Sequence, residues 1–168
     1  GMAMFTEQLV PMSDPRLQAV YGHFETNLID TTRLLRAKGI HVILATVPVN
    51  LRDQAPFAST HDRPLQSTDQ SEWQAAIQRG TEAQAKSDWQ LAETALREAL
   101  ALSPDYAETH FQLARVFEAQ DRFDEAKSHY RLARDLDALR FRADSTINQV
   151  IREVANQFSQ DGVKLIDA

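Results

Sequence analysis

The sequence predicts a mainly α-helical chain: two helical hairpins of one kind and a capping helix, attached to a small α/β piece of helix–strand and returning strand. Three observations predict it. The segment 80–136 matches itself at an offset of 34 residues. An amphipathic pattern near the N-terminus runs into a β-branched stretch. A second short apolar stretch, Val163 to Ile166, closes the sequence given.

The 168 residues suit one ordinary domain or two small ones. Hydrophobic residues make up 43% and charged residues 25%, the profile of a soluble globular protein. A net charge of −6 argues against a nucleic-acid surface, which needs a concentrated basic face. No apolar run approaches the ~20 residues that span a bilayer, so no membrane partner is expected. Residues 2–11 lack a basic stretch before an apolar one, so no signal peptide is expected. With no cysteine there are no disulfides and no thiolate metal sites.

The first element starts at Asp14, which can cap a helix that has Pro15 at its first position. Leu17, Val20, Tyr21, Phe24, Leu28, Leu34 and Leu35 follow the helical period. Gly39 suits the left-handed residue that ends it. Residues 40–47 are nearly continuous apolar and β-branched, which predicts a strand of a parallel sheet covered on both faces. Residues 48–70, rich in Pro, Asp, Ser and Thr, form a long connection, and connections of that length are functional or mark a boundary.

At the 34-residue offset Gly80 falls on Ala114, Trp89 on Phe123, Ala92 on Ala126, Leu96 on Tyr130, Ala99 on Ala133, and Leu102 on Leu136. The chemistry is steric. Small residues at 80, 92, 114 and 126 let two helices approach closely, Trp89 and Phe123 plug the turns, and Ala99 and Ala133 admit the next hairpin. Pro104 ends the first unit, and its counterpart is Ala138. Arg79 departs from the pattern, which favours Leu there. These positions define a tetratricopeptide pattern from about Trp73 to Ala138. A further helix from about Arg142 to Phe158, with Ile147, Val150, Ile151, Val154 and Phe158 on its apolar face, is placed as the cap. Gly162 then leads into the short strand. The predicted organisation is 1–60 as the helix–strand piece and its loop, 61–70 as connection, 71–139 as two repeats, and 140–168 as capping helix and returning strand.

Several words also resemble SGNH-hydrolase-like proteins that carry a tetratricopeptide insertion. They are Met2-Ala3-Met4-Phe5, Asp14-Pro15-Arg16-Leu17, Val20 to Phe24 with Asn27-Leu28, Val49 to Asp53, Ala55 to Ser59, and Ala133 to Asp144 with Asn148. The resemblance implies a segment of a larger protein. In that family the Gly-Asp-Ser-like block and the oxyanion-hole residues come before this region. The Asp/Glu-x-x-His block comes after it. None of these blocks is in the sequence given, so no catalytic residue can be carried over.

Two groups of residues are candidates for a site. In the hairpin register Ile77, Thr81, Gln84, Phe111, Gln112, Arg115 and Glu118 face the concave groove, continued by Thr146, Gln149 and Arg152 on the cap. Asn50, Arg52 and Asp53 follow the end of the strand, where α/β proteins place ligands. The plainer reading of those three is a turn closed by Asn50 and Asp53, with Arg52 paired to an acid. Ser59, His61 and Asp62 contain the residue types of a triad, but sequence neighbours rarely converge that way. His23, His41, His61, His110 and His129 show no i,i+3 or i,i+4 pair, so no metal site and no cofactor are expected. The functional expectation is a non-catalytic protein–protein interaction module. The alternative is a fragment of an SGNH-like hydrolase or acyl-transfer enzyme without its catalytic blocks. The expected partners are a protein or peptide segment or the rest of a parent protein, with self-association through the N-terminal strand zone.

Overall fold

A computed structural model describes residues 8–168. Met2, Ala3, Met4 and Phe5, part of the resemblance above, lie outside the described residues. The elements in chain order are α1 (Arg16–Ala37), β1 (Ile43–Ala45), α2 (Ser67–Ala85), α3 (Trp89–Leu102), α4 (Ala107–Ala119), α5 (Phe123–Asp135), α6 (Ser145–Gln157), a 3-10 turn (Ser159–Asp161) and β2 (Lys164–Ile166). They form two compact units. One holds residues 8–13 and 50–140, the other residues 14–49 and 141–168. Residues 50–60 thus pack with the hairpins, which puts the boundary at Asn50.

The first unit is two hairpins, α2–α3 and α4–α5, with helices that pack as pairs. The 34-residue repeat extends to single hydrogen bonds. Asp88 N donates to Ala83 O at 2.9 Å, and Arg122 N to Phe117 O at 2.9 Å. Ser87 and Asp121, also 34 apart, hold φ of 56° and 60°. Each turn is therefore a 6→1 closure with a left-handed residue that is not glycine. At Gly80 an added Cβ would stand 3.0 Å from Leu96 Cδ2. Leu96 is fully buried, so a Cβ there requires a core side chain to shift. Ala92, Ala99, Ala114, Ala126 and Ala133 are buried with it. Trp89 packs half-buried on the same core. Phe123 does not plug its turn: it is 61% exposed. Trp89 faces Arg115, Glu118 and Ala119 around a shared depression. No described hairpin follows α5 in this unit to do the same for Phe123.

Charged and polar groups tie the hairpins together. Burial raises the Glu93 carboxyl, but Arg122 at 2.6 Å and Arg97 at 2.9 Å hold it below its ordinary value on balance. The Arg122 guanidinium also lies 4.3 Å from the centre of the Phe117 ring. Within the second hairpin, His110 Nε2 meets Pro104 O at 2.7 Å, and His110 Nδ1 meets His129 Nδ1 at 2.9 Å. A carbonyl only accepts, so His110 carries its hydrogen on Nε2 and its Nδ1 accepts from His129.

In the second unit Asp14 Oδ1 accepts from Arg16 N at 2.9 Å beside Pro15, and Gly39 has φ 74°. Both α1 ends are built as the sequence expects. Tyr21 and Leu17 are buried, and Phe24, Leu28 and Leu35 pack on the cluster of Val42, Val150, Val154, Phe158 and Val163. Val20 and Leu34 are exposed, because a set that wide exceeds one helical face. The strands pair in parallel, Ile43 with Lys164 and Ala45 with Ile166. Only residues 43–45 of the 40–47 run are strand. Cover on both faces, usual for such a strand, is absent among the described residues, as expected of a sheet that has only two strands. Val42, Leu44 and Val163 point into the cluster, while Ile43 is 59% and Ile166 55% exposed. Two strands with helices packed on one face leave the alternate side chains in solvent.

Asp144 begins α6, with Oδ1 accepting from Ile147 N at 3.0 Å and Oδ2 from the Tyr21 hydroxyl. Asn148 pairs with Val47 as a strand would, Val47 N donating to its Oδ1 at 2.8 Å and its Nδ2 donating to Val47 O at 3.1 Å.

Two predictions follow from the hairpin core. Ala92→Leu and Ala126→Leu each destabilise by ~1–3 kcal/mol through overpacking, read as a lower Tm. An unchanged Tm in both contradicts the helix register. Burial, then the His110 charge, pushes His129 down to about 4. The unfolded imidazole binds its proton near pH 6.5, so the folded chain is the poorer proton binder between 6.5 and 4. This stability is whole above about pH 6.5 and is lost as pH falls toward 4. The wild-type Tm should fall across that window and fall less in His129→Gln. Equal slopes contradict the assignment.

Candidate functional site

Gln84, Phe111, Arg115 and Glu118 of the first helices line two open depressions of the hairpin unit, while Ile77, Thr81 and Gln112 line neither. One, of about 470 Å³, is bounded by Arg52, Gln84, Ala85, Trp89, Arg115, Glu118 and Ala119. The other, of about 460 Å³, is bounded by Arg52, Asp53, Ala55, Phe111, Arg115, Glu118 and Tyr130. Arg52, Arg115 and Glu118 belong to both. The two candidate groups, the groove and the strand-end loop, therefore meet at one place. Arg52 Nε lies 2.6 Å from Glu118 Oε1, and the Tyr130 hydroxyl donates to Glu118 Oε2 at 2.8 Å. Burial and the Glu118 carboxylate raise the Tyr130 phenol above its ordinary range, so it remains the donor. Arg115 makes no ion pair with a described residue.

The other candidates are engaged locally. Gln84 Nε2 donates to Gln112 Oε1 at 3.1 Å, and Gln112 Nε2 to Glu108 Oε1 at 3.2 Å. Ile77 is half-buried against the core. The Thr81 hydroxyl donates to Ile77 O. Asp53 N donates to Asn50 Oδ1 at 2.9 Å, closing a turn. Gln149 and Arg152 lie on α6 in the other unit, where Gln149 bonds Glu153 and Arg152 pairs with Asp167 at 2.8 Å. Thr146 is on the same helix.

Sequence reasoning missed how residues 50–66 are held. Leu51 packs on the core cluster that contains Phe111. Phe57 N and Ala58 N donate to the Asp137 carboxylate at 2.9 and 3.1 Å, Leu139 N donates to it at 3.1 Å, and Ala138 N donates to Ala58 O at 2.9 Å. Ser59 Oγ accepts from Glu108 N at 2.9 Å, which caps α4 where Tyr106 cannot. His61 Nδ1 meets Ser103 Oγ at 2.7 Å, and the ring packs against Trp73 and Tyr106. Leu65 packs beside Trp73. The connection thus runs from Glu118, at the C-terminal end of α4, to Glu108 at its N-terminal end, then on to the α3–α4 junction.

Ser59, His61 and Asp62 face different partners: Asp62 accepts from Ser13. Ser103 does bond an imidazole; it is 4% exposed, at the wall of a depression of about 240 Å³ that Asp62, Pro64 and Leu65 also line. Burial lowers the His61 imidazole from its ordinary value, and its contacts with Ser103, Trp73 and Tyr106 staple the connection down. No group of three metal-ligating side chains occurs among the described residues. No helix among them is long and apolar enough to cross a membrane.

Residues 83–143 match the tetratricopeptide repeat family model. The two hairpins are tetratricopeptide hairpins. No curated protein and no solved structure matches the chain.

Asp137 is the anchor of the connection, and Asp137→Asn replaces an all-acceptor group with one that presents N–H to backbone N–H. It should cost about 1–3 kcal/mol in a denaturant melt. A loss no greater than at an exposed control such as Asp124→Asn contradicts that role.

Proposed function

We propose that this chain is a non-catalytic interaction module that holds a segment of another protein on the first-helix face of its tetratricopeptide hairpins. The observation that carries this reading is the pair of adjoining depressions around Arg115, an exposed cation with no salt bridge to a described residue, beside the half-buried Trp89 and the largely buried Phe111 ring. Repeat proteins bind along such surfaces. The resemblance of the flanking stretches to SGNH-hydrolase-like proteins makes the rest of such a parent one source of that segment. A peptide-display selection against the chain tests the reading. Selected peptides should lose about tenfold or more in affinity to Arg115→Glu, ~1.4 kcal/mol. Peptides indifferent to Arg115→Glu, or a selection that yields none, contradict it.

The bare sheet face supports self-association as a second property. Ile40, Ile43, Leu165 and Ile166 are all at least 40% exposed on or beside a sheet of two strands, and both outer edges of that sheet are unpaired among the described strands. Exposed edges pair with other chains, and a second copy supplies the same edge and face. Sedimentation should show a dimer that Ile43→Lys dissociates. A wild type that stays monomeric at high concentration, or a dimer indifferent to the substitution, contradicts it.

A further inference from the structure

The connection over the groove is held unequally at its two ends. At Phe57 to Ser59 the backbone bonds the Asp137 carboxylate and Ala138, and the Ser59 hydroxyl caps the α4 terminus. At Leu51 and Arg52 the hold is slight. The Arg52 side chain is 69% exposed, and its one ion pair is with Glu118. Ion pairs that exposed contribute little. Leu51 is only half-buried. Open depressions flank Arg52 on both sides, so its removal meets no packed neighbour. Glu118, in contrast, is held from its far side by Tyr130 and keeps its orientation when Arg52 leaves.

We propose that Leu51 and Arg52 are a cis ligand of the hairpin groove, displaced by a partner segment that presents an apolar residue followed by a cation. The incoming apolar side chain takes the place of Leu51 on the cluster around Phe111, and its cation takes the place of Arg52 on Glu118. The Phe57 to Ser59 anchor stays seated, so the released arm is short. This rests on the interaction-module reading and specifies the partner's chemistry. It also makes wild-type affinity lower than that of a chain without the cis ligand, while binders that outcompete the arm remain selectable. A tethered competitor acts at an effective concentration on the order of mM.

The test uses a fluorescein-labelled peptide with the sequence of residues 49–56, VNLRDQAP, titrated by anisotropy. The Leu51→Ser/Arg52→Glu double variant should bind it at least tenfold more tightly than the wild type. Adding Glu118→Lys to that variant should abolish the gain, and a peptide with Glu in place of its Arg should not bind. Arg52→Glu alone, at a mostly exposed position, should show a smaller gain in the same direction, and keeps the test valid if the double variant does not fold. Equal affinity for wild type and variants, no binding to a variant of wild-type helicity, or a gain insensitive to Glu118→Lys overturns the proposal. If the display selection yields groove binders while this peptide fails, only the cis-ligand proposal falls. If both fail, the module reading falls with it.

Discussion

The Asp137 carboxylate is 3% exposed and takes backbone hydrogens from Phe57, Ala58 and Leu139. A carboxylate so placed is expensive to bury without these donors, and the amides are expensive to bury without it. Once made, the contact fixes where a long polar connection can lie. Ser59 then reaches the α4 terminus, His61 reaches Ser103, and Leu51 and Arg52 come to the other end of α4. The connection thereby lies along α4, from Glu118 to the amide of Glu108.

The hairpins supply the rigid frame for this arrangement. Their geometry follows from the small residues, since Gly80 against Leu96 admits no Cβ without displacement of a buried side chain. Close helices leave shallow depressions rather than a deep pocket, and the side chains that rim them are long and polar. Glu93, Arg97 and Arg122 lock one hairpin to the next away from that surface. The electrostatics of cohesion and of the groove therefore use different residues, with Glu118 the acid that meets Arg52.

Much of this frame was legible in the sequence. The 34-residue offset located both hairpins, because steric rules for close helices act on residue size, which a sequence displays directly. The N-terminal helix start at Asp14 and its stop at Gly39 were legible for the same reason. Phe123 was misread because its role depends on a following hairpin, a property of neighbours rather than of the residue. The length of the strand was misread because a β-branched run reports strand propensity, not how much of it finds a partner. Arg52 and Glu118, 66 positions apart, were each named, but nothing local could pair them. Asp137, Ser59 and the His110–His129 pair act through contacts distant in sequence, which one sequence with no covariation cannot display. Asp137 was visible only as part of a resembling word.

The connection is a docked part of the repeat and not a solvated linker. Native-state hydrogen exchange on the wild-type chain measures this residue by residue. The amides of Phe57, Ala58 and Glu108 should be protected nearly as well as those of Leu113 and Phe117 in α4, while the amide of Arg52 exchanges faster. Exchange of Phe57 and Ala58 at the rate of an unstructured peptide would contradict the account.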